Sequence, residues 1–282
     1  MGELFGREFY MNSRDAKKTR LWASPILAGS AAVHVGAAAS VLLQPPYWPW
    51  ALGAVAANHA VLTAAGLWPR SRLLGPNWTR LPAASGARGH VAITIDDGPD
   101  PVVTPQVLAQ LEAHGARASF FCVGQRVERH PELARDMVRR GHTLENHSQR
   151  HRHNFSLLGP AAMKAEIARA QEGISRITGS APRFFRAPAG LRNPFLDPVL
   201  NSLDLTLASW TRRGFDTVNG NADTIHRRLT ASLRGGDILL LHDSNAALAP
   251  SGRPVILDVL PRLLETVRAR GLTPVTLRAA LS

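Results

Sequence analysis

The 282-residue chain has one cysteine, two tyrosines and few aromatics of any kind, 6% in all. A lone Cys122 excludes an internal disulfide framework, and its place in the apolar run Ser119-Phe120-Phe121-Cys122-Val123 is that of a buried, inert thiol. Acidic residues are scarce beside basic ones, 21 against 33, giving a formal net charge of +12. That excess points to anionic partners, lipid or a charged substrate among them. No Lys/Arg block with interleaved aromatics occurs, so nucleic acid is not expected as a partner. Internal repeats are absent as well. Hydrophobic residues, at 45%, suffice for a full core.

Charge itself is missing from two stretches, 21–43 and 51–67, both rich in Ala, Val, Leu and Gly. The first is long enough to cross a bilayer as a helix. Between them lies Gln44-Pro45-Pro46-Tyr47-Trp48-Pro49-Trp50, whose Tyr and Trp suit a membrane interface. We read 21–68 as a transmembrane helical hairpin following a basic segment, 1–20. Two other readings stay open: a signal peptide with Ala37-Ala38-Ala39 near its cleavage point, and buried helices of a soluble protein. His34 and His59, inside the segments, are expected to be tolerated polar side chains. Arg14, Lys17, Lys18 and Arg20 precede the hairpin, and Arg70, Arg72 and Arg80 follow it. The positive-inside rule then places the rest of the chain on the cytoplasmic side of the cell membrane.

Residues 69–89 read as a linker. From His90 onward strand-like and helix-like runs alternate. Strands are expected at 90–96, 118–123, 142–146, 183–188, 205–210, 237–242 and 273–277, and helices at 104–114, 125–140, 161–178, 224–233 and 255–270. Such alternation predicts an α/β fold with a mainly parallel sheet or barrel wrapped by helices.

Five stretches at strand ends could carry chemistry. Thr94-Ile95-Asp96-Asp97-Gly98-Pro99 sets two carboxylates where a strand runs into a turn. Strand alternation starts Asp96 and Asp97 on opposite faces, free to take different tasks. Glu145-Asn146-His147-Ser148-Gln149-Arg150-His151 has imidazoles at a spacing that one face of a helical turn brings to one metal. Phe184-Phe185-Arg186-Ala187-Pro188-Ala189-Gly190 offers an arginine that can orient a carboxylate. Trp210 to Asp216 offers an aromatic wall for a sugar, or a core Trp. Gly236 to Asp243 delivers His242 to the same end as Asp97, where an imidazole can protonate a leaving amine.

Together these stretches resemble the polysaccharide deacetylase family, also called the NodB-homology domain or carbohydrate esterase family 4. The resemblance runs from about His90 to the C-terminus, 90–282, and rests on 94–99, 147–151, 186–190, 210–216 and 240–242. It implies a distorted (β/α) barrel and a hydrolase removing an N-acyl group, acetyl or formyl, from an amino sugar. Asp96 matches the catalytic base, Arg186 the residue orienting it, and His242 the general acid. Asp97, His147 and His151 match the ligands of a divalent metal, most often Zn2+. Ala189, Trp210, Leu240 and Asp216 match substrate contacts, Ala189 through its backbone N–H and Leu240 against the acyl methyl. Two departures stand out. Ala189 occupies a position where the family often has Tyr, while Arg213 and Thr217 replace a frequent Asp and Trp. The expected partners are an N-acylated amino-sugar glycan or glycolipid and membrane lipid. Basic charge and an inner-leaflet anchor favour a lipid-linked amino sugar with a phosphate. A periplasmic cell-wall or exopolysaccharide deacetylase, or a catalytically silent glycan-binding domain tethered to the membrane, are the alternatives.

Overall fold

In the computed structural model, which describes residues 25–282, every strand pairs in parallel. The expected basic segment 1–20 and the start of the hairpin lie outside the described residues. The strands are β1 (His90–Asp96), β2 (Ser119–Cys122), β3 (Thr143–Asn146), β4 (Phe184–Phe185), β5 (Thr206–Leu207), β6 (Arg212–Arg213), β7 (Ile238–His242) and β8 (Thr273–Val275). Their order is β5-β4-β3-β2-β1-β7-β6, with β8 beside the start of β1. The helices are α1 (Pro25–Leu43), α2 (Trp48–Leu67), α3 (Ala83–Ala87), α4 (Val103–Ala113), α5 (Gly124–Arg129), α6 (Pro131–Arg139), α7 (Pro160–Thr178), α8 (Leu196–Ser202), α9 (Ala222–Thr230) and α10 (Ile256–Ala269). This is the curled, helix-wrapped parallel sheet that the alternation predicted.

β1 and β7 form the centre because both are apolar on both faces: Val91, Ala92, Ile93, Ile95 and Ile238 to Leu241 are fully or almost fully buried. One layer packs Val107, Leu108 and Leu111 of α4 and Leu260, Leu263 and Leu264 of α10 against Ile93, Ile95 and Leu241. A second cluster fills the inner curve with Phe121, Phe184, Trp210 and Leu240. In the β1–β7 register Asp96 lies opposite His242, so two chemical residues share one sheet end.

Several elements differ from expectation. The helix expected at 125–140 is two helices, since Pro131 has no N–H to continue the first and instead starts the second. β6 and α8 are additional. Residues 69–82, expected as part of a linker, are laid along the domain. Trp78 bridges to Ala208, Leu81 N–H donates to Gly236 O at 2.9 Å, and Arg80 pairs with the fully buried Asp237 at 2.7 Å. Gly66, the penultimate residue of α2, accepts from Arg192 N–H at 3.2 Å. The apolar hairpin thus enters the domain without a free tether.

α1 and α2 pack on each other, and both are apolar and long enough to cross a membrane. Nineteen residues of α1 rise about 28 Å, close to a hydrocarbon core. No residue of α1 is buried, which is unlike the core helix of a soluble protein.

Candidate active site

The two aspartates leave the strand differently. Asp96 is the last residue of β1, whereas Asp97 lies past it with φ +77. That left-handed turn ends the strand alternation, so both carboxylates reach one pocket rather than opposite faces. Asp97 Oδ1 is 3.3 Å from His147 Nε2 and 3.2 Å from His151 Nε2; Asp96 Oδ2 is 3.9 Å from His147 Nε2.

The histidine pair does not ride on a helical turn. Residues 147–151 form an irregular loop, with Ser148 at φ +65 and His151 at φ +49. Asn146 Oδ1 takes the Ser148 N–H at 2.9 Å and Ser148 Oγ takes the His151 N–H at 3.1 Å, giving the backbone local partners in place of a helix. Gly124 and Gln125 N–H groups, at the start of α5, hold the carbonyls of Ser148 and Gln149. The loop still converges both imidazoles, with ring centroids 4.9 Å apart.

Asp97, His147 and His151 can each offer one ligand atom, all within 4.8 Å of one another. His147 Nδ1 donates to Arg186 O at 2.8 Å, which leaves the Nε2 lone pair facing Asp97. Asp97 Oδ1 is buried with no hydrogen-bond donor, while Oδ2 accepts from Asn245 Nδ2 at 2.8 Å. A buried carboxylate oxygen left bare between two imidazole nitrogens fits a divalent cation. Burial pushes the Asp97 carboxyl up, but the proximity of His147 first, then of His242 and His151, holds it well below the usual carboxylate range. Burial, and secondarily His147, lowers the His151 imidazole, favouring the neutral form a metal requires.

Arg186 is 1% exposed, and each of its three guanidinium nitrogens has a hydrogen-bond partner. Nη1 reaches Asp96 Oδ1 at 2.6 Å and Thr94 Oγ1 at 2.9 Å; Nε and Nη2 reach the carbonyls of Ala208 and Ser209. Its guanidinium also lies 4.0 Å from the Phe121 ring centroid. Carbonyls and Thr94 therefore position Arg186 without the Asp that Arg213 replaces. Asp96 in turn is fixed in direction by the Arg186 guanidinium.

Asp216, expected among substrate contacts, is instead fully buried behind His242. Its Oδ2 accepts the His242 N–H at 2.7 Å and its Oδ1 accepts from Nδ1 at 3.0 Å. Burial pulls the His242 imidazole down, but Asp216, with Asp96 and Asp97 behind it, raises it above its ordinary value. The Nε2 edge is left for the pocket.

The pocket, about 200 Å³, is lined by Asp96, Asp97, His147, His151 and His242, with Ala189, Gly190, Trp210, Leu240, Arg213, Thr217 and Asn245 around them. Ala189, Trp210 and Leu240 thus all line this pocket. The Ala189 N–H has no acceptor among the described residues, because Pro188 and Gly190 close the local turn around it. Asn245, Thr94 and the His242-anchoring role of Asp216 were not foreseen. Asn245 lies three residues beyond His242, and that place after a reactive strand end was the one signal available.

Residues 83–208 match the family model for polysaccharide deacetylase. A peptidoglycan-N-acetylglucosamine deacetylase of Bacillus cereus is 31% identical over 193 residues, covering 68% of this chain and 87% of the relative. A chitooligosaccharide deacetylase of Bradyrhizobium is 36% identical over 160 residues, covering 56% of this chain and 72% of its own. Among solved structures, the family 4 carbohydrate esterase of Streptomyces lividans in complex with acetate aligns with a TM-score of 0.60 and 34% identity, over 66% of this chain and 91% of that one. Fold, motif order and relatives agree, and the chain belongs to the polysaccharide deacetylase family, enzymes that hydrolyse an amide bond on a sugar.

Proposed function

We propose that this protein is a membrane-anchored, divalent-metal-dependent N-deacylase whose substrate is a lipid-linked amino sugar bearing an N-acetyl or N-formyl group. The observation that carries the reading is the convergence of Asp96, Asp97, His147, His151 and His242 on one pocket, with Arg186 behind Asp96. A silent binding domain would have no use for a complete set of base, acid and ligands.

Asp97, His147 and His151 would hold the metal, Zn2+ by its donor set of two imidazoles and a carboxylate. When bound it supplies Lewis acidity toward the amide oxygen and toward water. Asp96, fixed by Arg186, takes the proton from the attacking water. The unpaired Ala189 N–H donates to the oxyanion that develops on the former amide oxygen. Leu240 packs against the acyl methyl, a contact that a formyl group lacks. His242, raised above its ordinary imidazole value by Asp216, gives its proton to the departing amine. The products are a free amino sugar and acetate or formate.

Delivery from a membrane is supported by where the hairpin ends. Pro69, just past α2, has its carbonyl bound by Ser209 Oγ at 2.6 Å and Asn77 Nδ2 at 2.9 Å. A Cβ on Gly190 in the pocket wall would lie 2.8 Å from Pro69 Cβ. The pocket wall therefore touches the chain as it leaves the apolar helices. The excess of basic residues on both sides of the hairpin favours the cytoplasmic leaflet.

The test uses the full chain in an uncharged detergent with a lipid-linked N-acylated amino sugar and a chitooligosaccharide in parallel. Acetate or formate release that favours the lipid-linked substrate, and disappears in Asp96→Asn, is expected. Preference for the soluble oligomer would overturn the lipid-linked assignment. An alkaline-phosphatase fusion after Arg88 tests the side of the membrane, and an active fusion would place the domain in the periplasm.

A further inference from the structure

Two adjacent arginines meet different fates. Arg212 is tied to the fully buried Asp237, Nε to Oδ2 at 2.7 Å, and donates to Ser232 O at 2.6 Å. Arg213 lines the active-site pocket, and its side chain makes no hydrogen bond or ion pair among the described residues. Its Nε is buried and without a partner. The guanidinium stands over two aromatic rings, 5.5 Å from the Trp210 centroid and 4.9 Å from that of Phe215. Those rings hold the cation in place without neutralising it.

No nearby carboxylate is free to pair with it. Asp96 is taken by Arg186, Asp97 faces His147 and His151, Asp216 binds His242, and Asp237 serves Arg80 and Arg212. Two further guanidinium groups flank the same strip with only carbonyl partners. Arg70 donates to Thr211 O at 3.3 Å, and Arg228 donates to Gly214 O at 3.4 Å while lying 5.4 Å from the Phe215 centroid. A forked, aromatic-braced guanidinium in a reaction pocket, ringed by more positive charge, matches the geometry of an oxyanion with several acceptors.

We propose that Arg213 is the anion subsite of the pocket and binds a phosphate carried by the amino-sugar substrate, so that it sets the enzyme's preference for a phosphorylated over a neutral sugar. The inference rests on the deacylase reading and names the group that reading leaves open. Arg213 does not take part in bond breaking; it binds the substrate while Asp96 and His242 act on the amide.

Calorimetric titration of the full chain in uncharged detergent, with N-acetylglucosamine 1-phosphate, N-acetylglucosamine and inorganic phosphate, reads the subsite without catalysis. The phosphorylated sugar should bind roughly ten- to a hundred-fold more tightly than the neutral one. Arg213→Met keeps an apolar stem against Trp210 and Phe215 and should abolish that difference; Arg213→Lys should retain part of it. In acyl-release assays Arg213→Met should raise KM for the phosphorylated sugar far more than it lowers kcat. Equal affinity for both sugars in the wild type overturns the subsite, as does inorganic phosphate binding as tightly as the sugar phosphate. Deacylation of neutral substrate with no phosphate preference defeats the subsite and leaves the deacylase standing. Arg213-dependent binding with no acyl release from any substrate does the reverse.

Discussion

Replacing Asp216 by Asn isolates the charge that raises the His242 imidazole above its ordinary value. The two groups are buried together, with Nδ1 3.0 Å from Oδ1 and the His242 N–H 2.7 Å from Oδ2. An asparagine can keep the backbone bond through its carbonyl, but then turns its NH2 toward Nδ1 and cannot stabilise an imidazolium. A hydrogen bond to a charged partner contributes about 1.5–3 kcal/mol. Its loss lowers the His242 imidazole, because Asp216 is the first partner that raises it. The acid form is required, so kcat falls as pH rises through this pKa. The alkaline limb of the kcat profile should therefore shift to lower pH in Asp216→Asn. Stability follows the same sign. The raised His242 contributes stability that is present below the ordinary imidazole value and is lost as pH rises past the native one. In the variant this part of the pH dependence of the melting temperature should vanish. An alkaline limb that stays in place in a folded Asp216→Asn protein would refute the assignment of His242 as the acid.

Asn245→Ala removes the donor to Asp97 Oδ2 and should weaken metal binding roughly 10–100-fold, read by competition with a chelator; unchanged affinity would show that Asp97 needs no such support. Asp243 is fully buried beside Thr104 Oγ1 at 2.5 Å, and burial raises its carboxyl to about 7. The unfolded chain loses this proton at lower pH, so stability should decline between about pH 4 and 7 in the wild type. Asp243→Asn should flatten that decline in thermal melts, and parallel melting curves would exclude it.

The sheet was legible where apolar runs are long. β1 and β7 are continuous buried strands ended by Asp-Asp-Gly-Pro and His-Asp, and pattern alone places them. β6 was not legible, because two arginines carry no strand pattern and pair only through the β7 backbone. Pro131 marks the break between α5 and α6, yet the surrounding helix formers run through it on either side.

For the site, the residue types were readable and their directions were not. Asp97 turns into the pocket through a positive φ that strand alternation cannot anticipate, and 147–151 converges as a loop tied by Asn146 and Ser148. Asp216 lay in a motif that marks it as important. Only the fold shows it buried behind His242 and bound to the imidazole. Arg213 was visible as a departure from the family pattern, but that it is unpaired depends on where Asp237 and Arg186 sit.

Metal dependence is decided by stripping the full chain with a chelator and returning Zn2+ while following metal content and acyl release together. One bound ion per chain is expected, with release only when it is present and loss of both in His147→Ala. Asp96→Asn should keep the ion and lose release by roughly 10²–10⁴-fold. Acyl release from metal-free protein, or full release from Asp96→Asn, would contradict the proposed mechanism.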